Sequence, residues 1–473
     1  MGDVKRQQAA AVEASIHQPL ERLLSLDDVQ AEARKRLPKA LYEYVASGSD
    51  DEQTLWENRQ GFKRHLLCPR VGVDVSKVDM SLTLFEDTAH AQHASLPIMI
   101  SPAGVHCLMH PDGEIATVRA AQREQVVMGV SQHATTCMED VAKAAVTLPT
   151  PSPASSPPPS APPSTPLWYQ LYILRDRSLT LSLVRRAESS GYQALILTVD
   201  SPVFGFREAD WRNGFAGLPE GMILANYPTK RAYDDRMKGG WDQNSEALLD
   251  RSSSFERDLP WLCSVTSLPV VVKGIVAPED AVAAAEAGCH GIIVSNHGGR
   301  QLDSCISSIE ALPDIAEALR QKGFLLDADR RAQRPRARLA GSQRACLSPH
   351  PFCRHPPVLR SQRPPSFFPP YVLSPHPYSI IPLVVSLFLD SGVRRGTDVL
   401  KAMALGATAV LLGKPIFFGL AVGGEEGVRR VVEILRRETE VAMILCGCSD
   451  LGKVGRGLVR EGGRGSYIRP SRL

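Results

Sequence analysis

Short apolar runs, each trailed by a stretch whose hydrophobic positions repeat at helical spacing, recur along this chain. The runs are "LPIMISPAG" (96–104), "VVMGVS" (126–131), "LWYQLYI" (167–173), "ALILTVD" (194–200), "PVVVKGI" (269–275), "GIIVSNH" (291–297), "SLFLD" (386–390) and "AVLLGKP" (409–415). Patterns such as "SLTLSLVRRAESSGY", "PEDAVAAAEAGC" and "GTDVLKAMALGA" lie between them. Strands that are apolar on both faces and alternate with amphipathic helices make a parallel sheet covered on both sides. Eight of them fit a closed barrel better than an open sheet. The pattern therefore predicts an α/β fold, a (β/α)8 TIM barrel, with a helical N-terminal extension over "LDDVQAEARKRLPKALYEYVAS" (26–47). Residues 1–23 read as a tail and 24–470 as one domain.

Two stretches break the alternation. "LPTPSPASSPPPSAPPSTP" (148–166) is a proline-rich, low-complexity insert expected to form a solvated loop. A second insert, residues 325–384, separates the sixth helix from the strand ending in Asp390, and compact domains rarely hold a structureless loop of that length. Its later half is rich in Ser, Phe, Pro and Leu, whose codons begin with two pyrimidines, which points to translated intron sequence. It also offers a rival seventh strand, "FLLDAD" (324–329); the later run is preferred because glycine and arginine follow its aspartate. Cys346, His350, Cys353 and His355 lie inside this insert, but their spacing is not that of a zinc finger, so no metal site is expected.

Composition narrows the class. The chain has 473 residues, 43% hydrophobic and 22% charged, with a formal charge of +3 and no basic stripe, which argues against a nucleic-acid partner. Ten cysteines at irregular spacing, with no signal peptide ahead of them, suit reduced thiols. The longest apolar run, "IIPLVVSLFL", is shorter than the ~20 residues a membrane span needs, so no membrane partner is expected.

Residue types that do chemistry collect where the runs end: Ser131, Gln170, Tyr172, Thr198, Asp200, Lys273, His297, Asp390, Gly413 and Lys414. In a barrel these ends open on one face, where active sites of this fold sit. The loop "VSNHGGRQLD" (294–303) adds an imidazole and a guanidinium three residues apart.

"SNHGGRQLD" resembles the active-site signature of the FMN-dependent 2-hydroxy-acid oxidases and dehydrogenases. The likeness extends through "RLPKALYEYVASGSDDEQTLWENRQGF", "HPDGEIATVRAA", "YQLYILRDR", "LTVDSPVFGFREAD", "LPVVVKG", "DSGVRRGTDVLKAMALGA" and "LLGKP", in the family's order. It implies that His297 is the catalytic base and Asp200 its carboxylate partner. Arg207 and Arg300 would grip the carboxylate of a small 2-hydroxy-acid substrate, helped by Tyr44 and Tyr172; Tyr42 is the rival for Tyr44, which aligns with the family's substrate tyrosine. The chemistry is consistent, since removing a proton from a 2-hydroxy acid needs a base with a near-neutral pKa and paired cations for the carboxylate.

The same resemblance implies FMN as cofactor. Lys273 would place a cation beside the flavin ring. Asp390, Ser391, Gly392, Val393, Arg394, Gly413 and Lys414, in the loops after strands seven and eight, would hold the phosphate. Pro102, Ala103, Gly104, Ser131, Gln170, Thr198 and Ser295 match positions that touch flavin in the family. Four residues depart from its pattern: Lys414 stands for arginine, Ser391 for a glycine, Gly104 for a common alanine and His133 for the tryptophan of glycolate oxidases. If position 391 needs a positive φ, serine there is strained.

Two electron acceptors stay open, oxygen or another redox protein. Oxygen is favoured because only about a hundred residues precede the first strand, without a haem-binding histidine pattern. The ending "SRL" (471–473) is a variant of the Ser-Lys-Leu peroxisomal address, which implies a peroxisomal oxidase recognised by an import receptor. Homo-oligomers are usual in the family. The competing readings are a dehydrogenase with a non-oxygen acceptor and a non-catalytic product disrupted by its inserts.

Overall fold

The computed structural model describes residues 19–86, 88–146, 165–215, 217–227, 248–325 and 384–462. Eight parallel strands close into a barrel: β1 (Ile98–Ile100), β2 (Met128–Ser131), β3 (Leu167–Leu171), β4 (Ala194–Thr198), β5 (Val270–Ile275), β6 (Gly291–Val294), β7 (Ser386–Leu389) and β8 (Ala409–Leu412). Each falls within one of the eight apolar runs. Closure comes from β8 pairing with β1, Leu411 opposite Met99 and Leu412 opposite Ile100. The seventh strand is the later candidate, and Phe324 instead accepts a backbone hydrogen bond from Val385 at 2.8 Å. The chain on either side of the second insert is thus joined directly.

The strands stop two to four residues earlier than the apolar runs for β1, β3, β4, β6 and β8. Tyr172, Asp200 and His297 therefore lie just beyond the last paired residues, in the loops of the C-terminal face, and Lys414 at the first turn of the helix that follows β8. The helical extension is also divided, into α1 (Leu26–Arg36) and α2 (Lys39–Ala46). Pro38 sits between them with extended backbone; it has no N–H to continue the first helix and disfavours helical geometry in Leu37. Ser25 caps α1 in a reciprocal box with Asp28. Leu23, the last residue of the expected tail, is buried.

A third helix, α3 (Gln53–Arg64), crosses the barrel mouth. Around the barrel run α4 (Gly113–Glu124), α5 (Met138–Val146), α6 (Arg177–Ser189), α7 (Phe255–Val265), α8 (Pro278–Glu286), α9 (Ser308–Gln321), α10 (Gly396–Ala404) and α11 (Lys414–Leu445), which is broken into two helical segments by a kink at Gly423 and Gly424. The barrel interior is filled by Met99, Trp168, Ile196, Val271, Ile293 and Phe388, as expected when inward-facing residues pack in layers. At the opposite end from the loops, a hairpin of Leu82–Leu84 and Gln92–Ala94 is followed into the barrel by Phe85. The Phe85 ring lies 5.4 Å from Trp168 and 6.5 Å from Phe388, and Trp168 donates to Gln92 Oε1 at 2.7 Å. That end is stoppered.

No helix among the described residues is long and apolar enough to cross a membrane, and no group of three or more potential metal ligands occurs among them. Both inserts lie almost wholly outside the described residues, as do Cys346, His350, Cys353, His355 and Ser471–Leu473.

Candidate active site

The C-terminal ends of the strands enclose a cavity of about 220 Å³. All the site residues expected from sequence line it except two, Asp200 and Ser295. Those two stand behind His297. Asp200 Oδ1 lies 2.8 Å from His297 Nδ1 and also accepts from Ser201 Oγ at 3.1 Å, while Ser295 Oγ accepts the His297 backbone N–H at 3.1 Å. With Nδ1 taken by the carboxylate, Nε2 is the nitrogen left to face the cavity. Burial alone would raise the Asp200 pKa, but His297 and Lys273 outweigh it and hold the carboxyl at about 2. Asp200 is therefore a permanent anion beside the ring.

Two arginines share the aromatic face of Tyr44. The Arg300 guanidinium lies 5.1 Å and that of Arg207 5.6 Å from its ring centroid. Arg207 is steadied by Asp210 at 2.8 Å, and Arg300 donates to the Tyr44 carbonyl. Tyr42 points elsewhere, onto Phe418, and its hydroxyl accepts from Gln30. Tyr172 is buried next to His133, and that burial, reinforced by the Asp200 charge, pushes its phenol pKa up, so it stays a neutral hydroxyl.

Six cations line the cavity: Arg59, Arg207, Arg300, Arg394, Lys273 and Lys414. Among the lining side chains the only carboxylate is Asp390, 3.7 Å from Lys273 Nζ. Burial, with Arg207 nearby, lowers Arg300 to about 10, and burial with Arg59 does the same for Arg394. Lys414 is pushed well below its ordinary value by burial and then by Arg300 and Arg394. Crowded, desolvated cations of this kind are relieved by anions. The N-terminus of α11 opens on the same region through Gly413 with no side-chain cap; in that first turn Pro415 has no N–H and Ile416 N–H already donates to the Gly413 carbonyl at 2.9 Å.

Two buried donors in the wall have no hydrogen-bond partner among the described residues, Gln170 Nε2 and Arg394 Nη1. The orientation of the Gln170 amide is fixed by its neighbours: its oxygen accepts from Gln132 N–H at 3.3 Å and Ser131 Oγ at 3.0 Å, so the NH₂ must face away from them. A buried donor left unpaired is costly, so each calls for an acceptor from outside the described residues.

Comparison with known proteins decides which. The profile described as FMN-dependent dehydrogenase matches residues 33–328 and 381–461. The chain belongs to this family. It is 38% identical over 442 residues to the peroxisomal (S)-2-hydroxy-acid oxidase of Oryza sativa subsp. japonica, covering 93% of this chain and 97% of the relative. It is 36% identical over 450 residues to a 2-hydroxyacid oxidase of Dictyostelium discoideum, covering 95% and 93%. The crystal structure of mandelate oxidase superposes with a TM-score of 0.69 at 31% identity, covering 93% of this chain and 99% of that one.

FMN is the cofactor of the FMN-dependent dehydrogenase family, and this cavity fits it. Orphaned N–H groups at Gln170 and Arg394 match a ligand rich in carbonyl and phosphate oxygens, and the surplus of cations matches a phosphate. Several lining residues were not singled out from sequence, among them Leu55, Asn58 and Arg59 of α3, and Ser101, Phe204 and Gln301. Ser101 and Gln301 lie inside the quoted stretches "LPIMISPAG" and "SNHGGRQLD" and were within reach. "TLWENRQ" lies in a stretch that carries the family resemblance, but no residue chemistry in it marks α3 as part of the wall. Lys414 holds a further surprise: its Nζ donates to the carbonyls of Ala46 and Ser47 at 3.1 and 2.9 Å, tying α11 to the end of α2.

Proposed function

We propose that this protein is an FMN-dependent (S)-2-hydroxy-acid oxidase that converts small 2-hydroxy acids of the glycolate or L-lactate type to 2-oxo acids, with oxygen reduced to hydrogen peroxide. The observation that carries this reading is the placement of His297, backed by Asp200 at 2.8 Å, in one cavity with the Arg207–Arg300 pair. FMN bound in that cavity supplies the two-electron oxidation that no side chain here can perform. Arg207 and Arg300 hold the substrate carboxylate, and the hydroxyls of Tyr44 and Tyr172 complete its surroundings. His297 Nε2 takes the substrate proton; Asp200 stabilises the imidazolium so formed and keeps the ring facing the cavity. Lys273, Arg394, Lys414 and the 390–394 loop hold the cofactor, with Pro102, Ala103, Gly104, Ser131, Gln170, Thr198 and Gly413 along its bed. Ser295 acts one step back, through the His297 backbone.

Oxygen as acceptor follows the names of the rice and Dictyostelium relatives, both oxidases. A peroxisomal location rests on the rice relative's name and the Ser471-Arg472-Leu473 tripeptide. Oxygen uptake with glycolate, L-lactate and a longer 2-hydroxy acid, with peroxide measured alongside, tests the activity. Dye reduction without peroxide would make the protein a dehydrogenase. His297→Gln should keep the yellow, flavin-loaded protein and lose on the order of 10²–10⁴-fold in turnover, the range of a general base. Full activity in that variant removes the assignment.

A further inference from the structure

His297 opens a run of three residues with left-handed backbone, φ being 58° at His297, 67° at Gly298 and 72° at Gly299. Glycine enters that region freely and histidine does not, so the surroundings must impose it. Each N–H of the run is held by a side-chain oxygen. His297 N–H donates to Ser295 Oγ at 3.1 Å, Gly298 N–H to Ser391 Oγ at 2.9 Å and Gly299 N–H to Asn296 Oδ1 at 3.2 Å. Ser295 and Asn296 belong to the same loop as the run. Ser391 does not; it comes from the loop after β7.

Ser391 is itself left-handed, with φ 72°, at the position where the family resemblance places a glycine. Its hydroxyl works in both directions, accepting from Gly298 and donating to Asp390 Oδ1 at 2.8 Å. The other oxygen of Asp390 faces Lys273. A continuous chain thus runs from Lys273 through Asp390 and Ser391 to the peptide that follows His297. Glycine at 391 would relax the backbone but could make neither side-chain bond. Serine bears the strain and makes both.

We propose that Ser391 is a positioning residue, whose hydroxyl fixes the His297 loop against the 390–394 loop so that the base is aligned only when the cofactor loop is ordered. This rests on the reading of His297 as the proton acceptor. A glycine at this position could not make this hydroxyl tie, so the tie is a property of this protein's own sequence.

The test compares Ser391→Gly and Ser391→Ala with the wild type as FMN-loaded enzymes. Flavin occupancy is read from absorbance, backbone exchange over residues 294–303 by hydrogen–deuterium exchange, and kcat and KM per bound flavin. Ser391→Gly relieves the strained backbone and should fold and keep its flavin. In both variants, exchange at the Gly298 amide should rise by about ten-fold and kcat per bound flavin fall by about ten-fold, with KM changed by less than about three-fold. Wild-type exchange and wild-type kcat per flavin in both variants overturn the proposal. So does a loss confined to flavin occupancy, which would make Ser391 part of cofactor binding alone. A wild-type protein that oxidises no 2-hydroxy acid defeats the functional reading instead, and the exchange measurement still decides whether Ser391 holds the loop.

Discussion

His133 lies buried beside Tyr172, its Nε2 2.9 Å from the Tyr227 hydroxyl, and burial together with the charge of His297 lowers its pKa to about 4. An unfolded imidazole titrates near 6.5. Between those values the unfolded chain binds a proton that the folded one refuses, so stability falls as pH drops through that window. Asp200 acts in the opposite sense and elsewhere: its folded pKa of about 2 contributes stability above the ordinary carboxylate value of 3.8, lost only as pH falls toward 2. Loss between pH 7 and 5 therefore belongs to the histidines, with His65, His106 and His290 shifted in the same direction by burial. His133→Asn should shrink that loss by roughly 2 kcal/mol, measured by urea unfolding at both pH values. An unchanged difference would show that His133 is protonated in the folded protein. Residue types at strand ends drew attention to His297 and Lys273, and the loop motif to Arg300; the structure places all three on the cavity wall. The left-handed backbone of Ser391 and the reach of Lys414 to Ala46 were not legible from sequence, because both depend on partners from distant segments.

Elements that bury both faces announce themselves, and the eight strands were readable for that reason. Their final residues were less so, since the runs as read continue into loop residues such as Asn296 and His297 that no longer pair. The division of the N-terminal helical region at Pro38 was also in the sequence, as a residue that cannot continue a helix. What sequence did not disclose was the docking of α3 over the mouth. That contact is tight where it meets the loop after β7: Gly392 has φ 93°, and a Cβ built there would lie 2.0 Å from the Asn58 carbonyl oxygen. Gly392→Ala therefore forces the loop after β7 and α3 apart, with an expected destabilisation of about 2–4 kcal/mol and loss of bound flavin. Thermal melting and the flavin-to-protein absorbance ratio report both. A variant that melts like the wild type and stays yellow would mean that α3 can shift without disturbing the site.

For the molecule as a whole, the barrel closes across the second insert. Val385 N–H meets the Phe324 carbonyl at 2.8 Å, and the family match skips residues 329–380. Replacing residues 327–382 with a short glycine-serine linker should leave flavin binding and turnover within about two-fold and melting unchanged or higher, since shortening a loop lowers its closure entropy. A colourless or unfolded product would show that the segment contributes to the fold. At the other pole, Phe85, Trp168 and Phe388 shut the lower opening of the barrel. Traffic is consequently one-sided: the incoming acid and the departing keto product use the same rim. Each must clear before the other enters, so a molecule lodged at that rim silences turnover without ever touching the isoalloxazine.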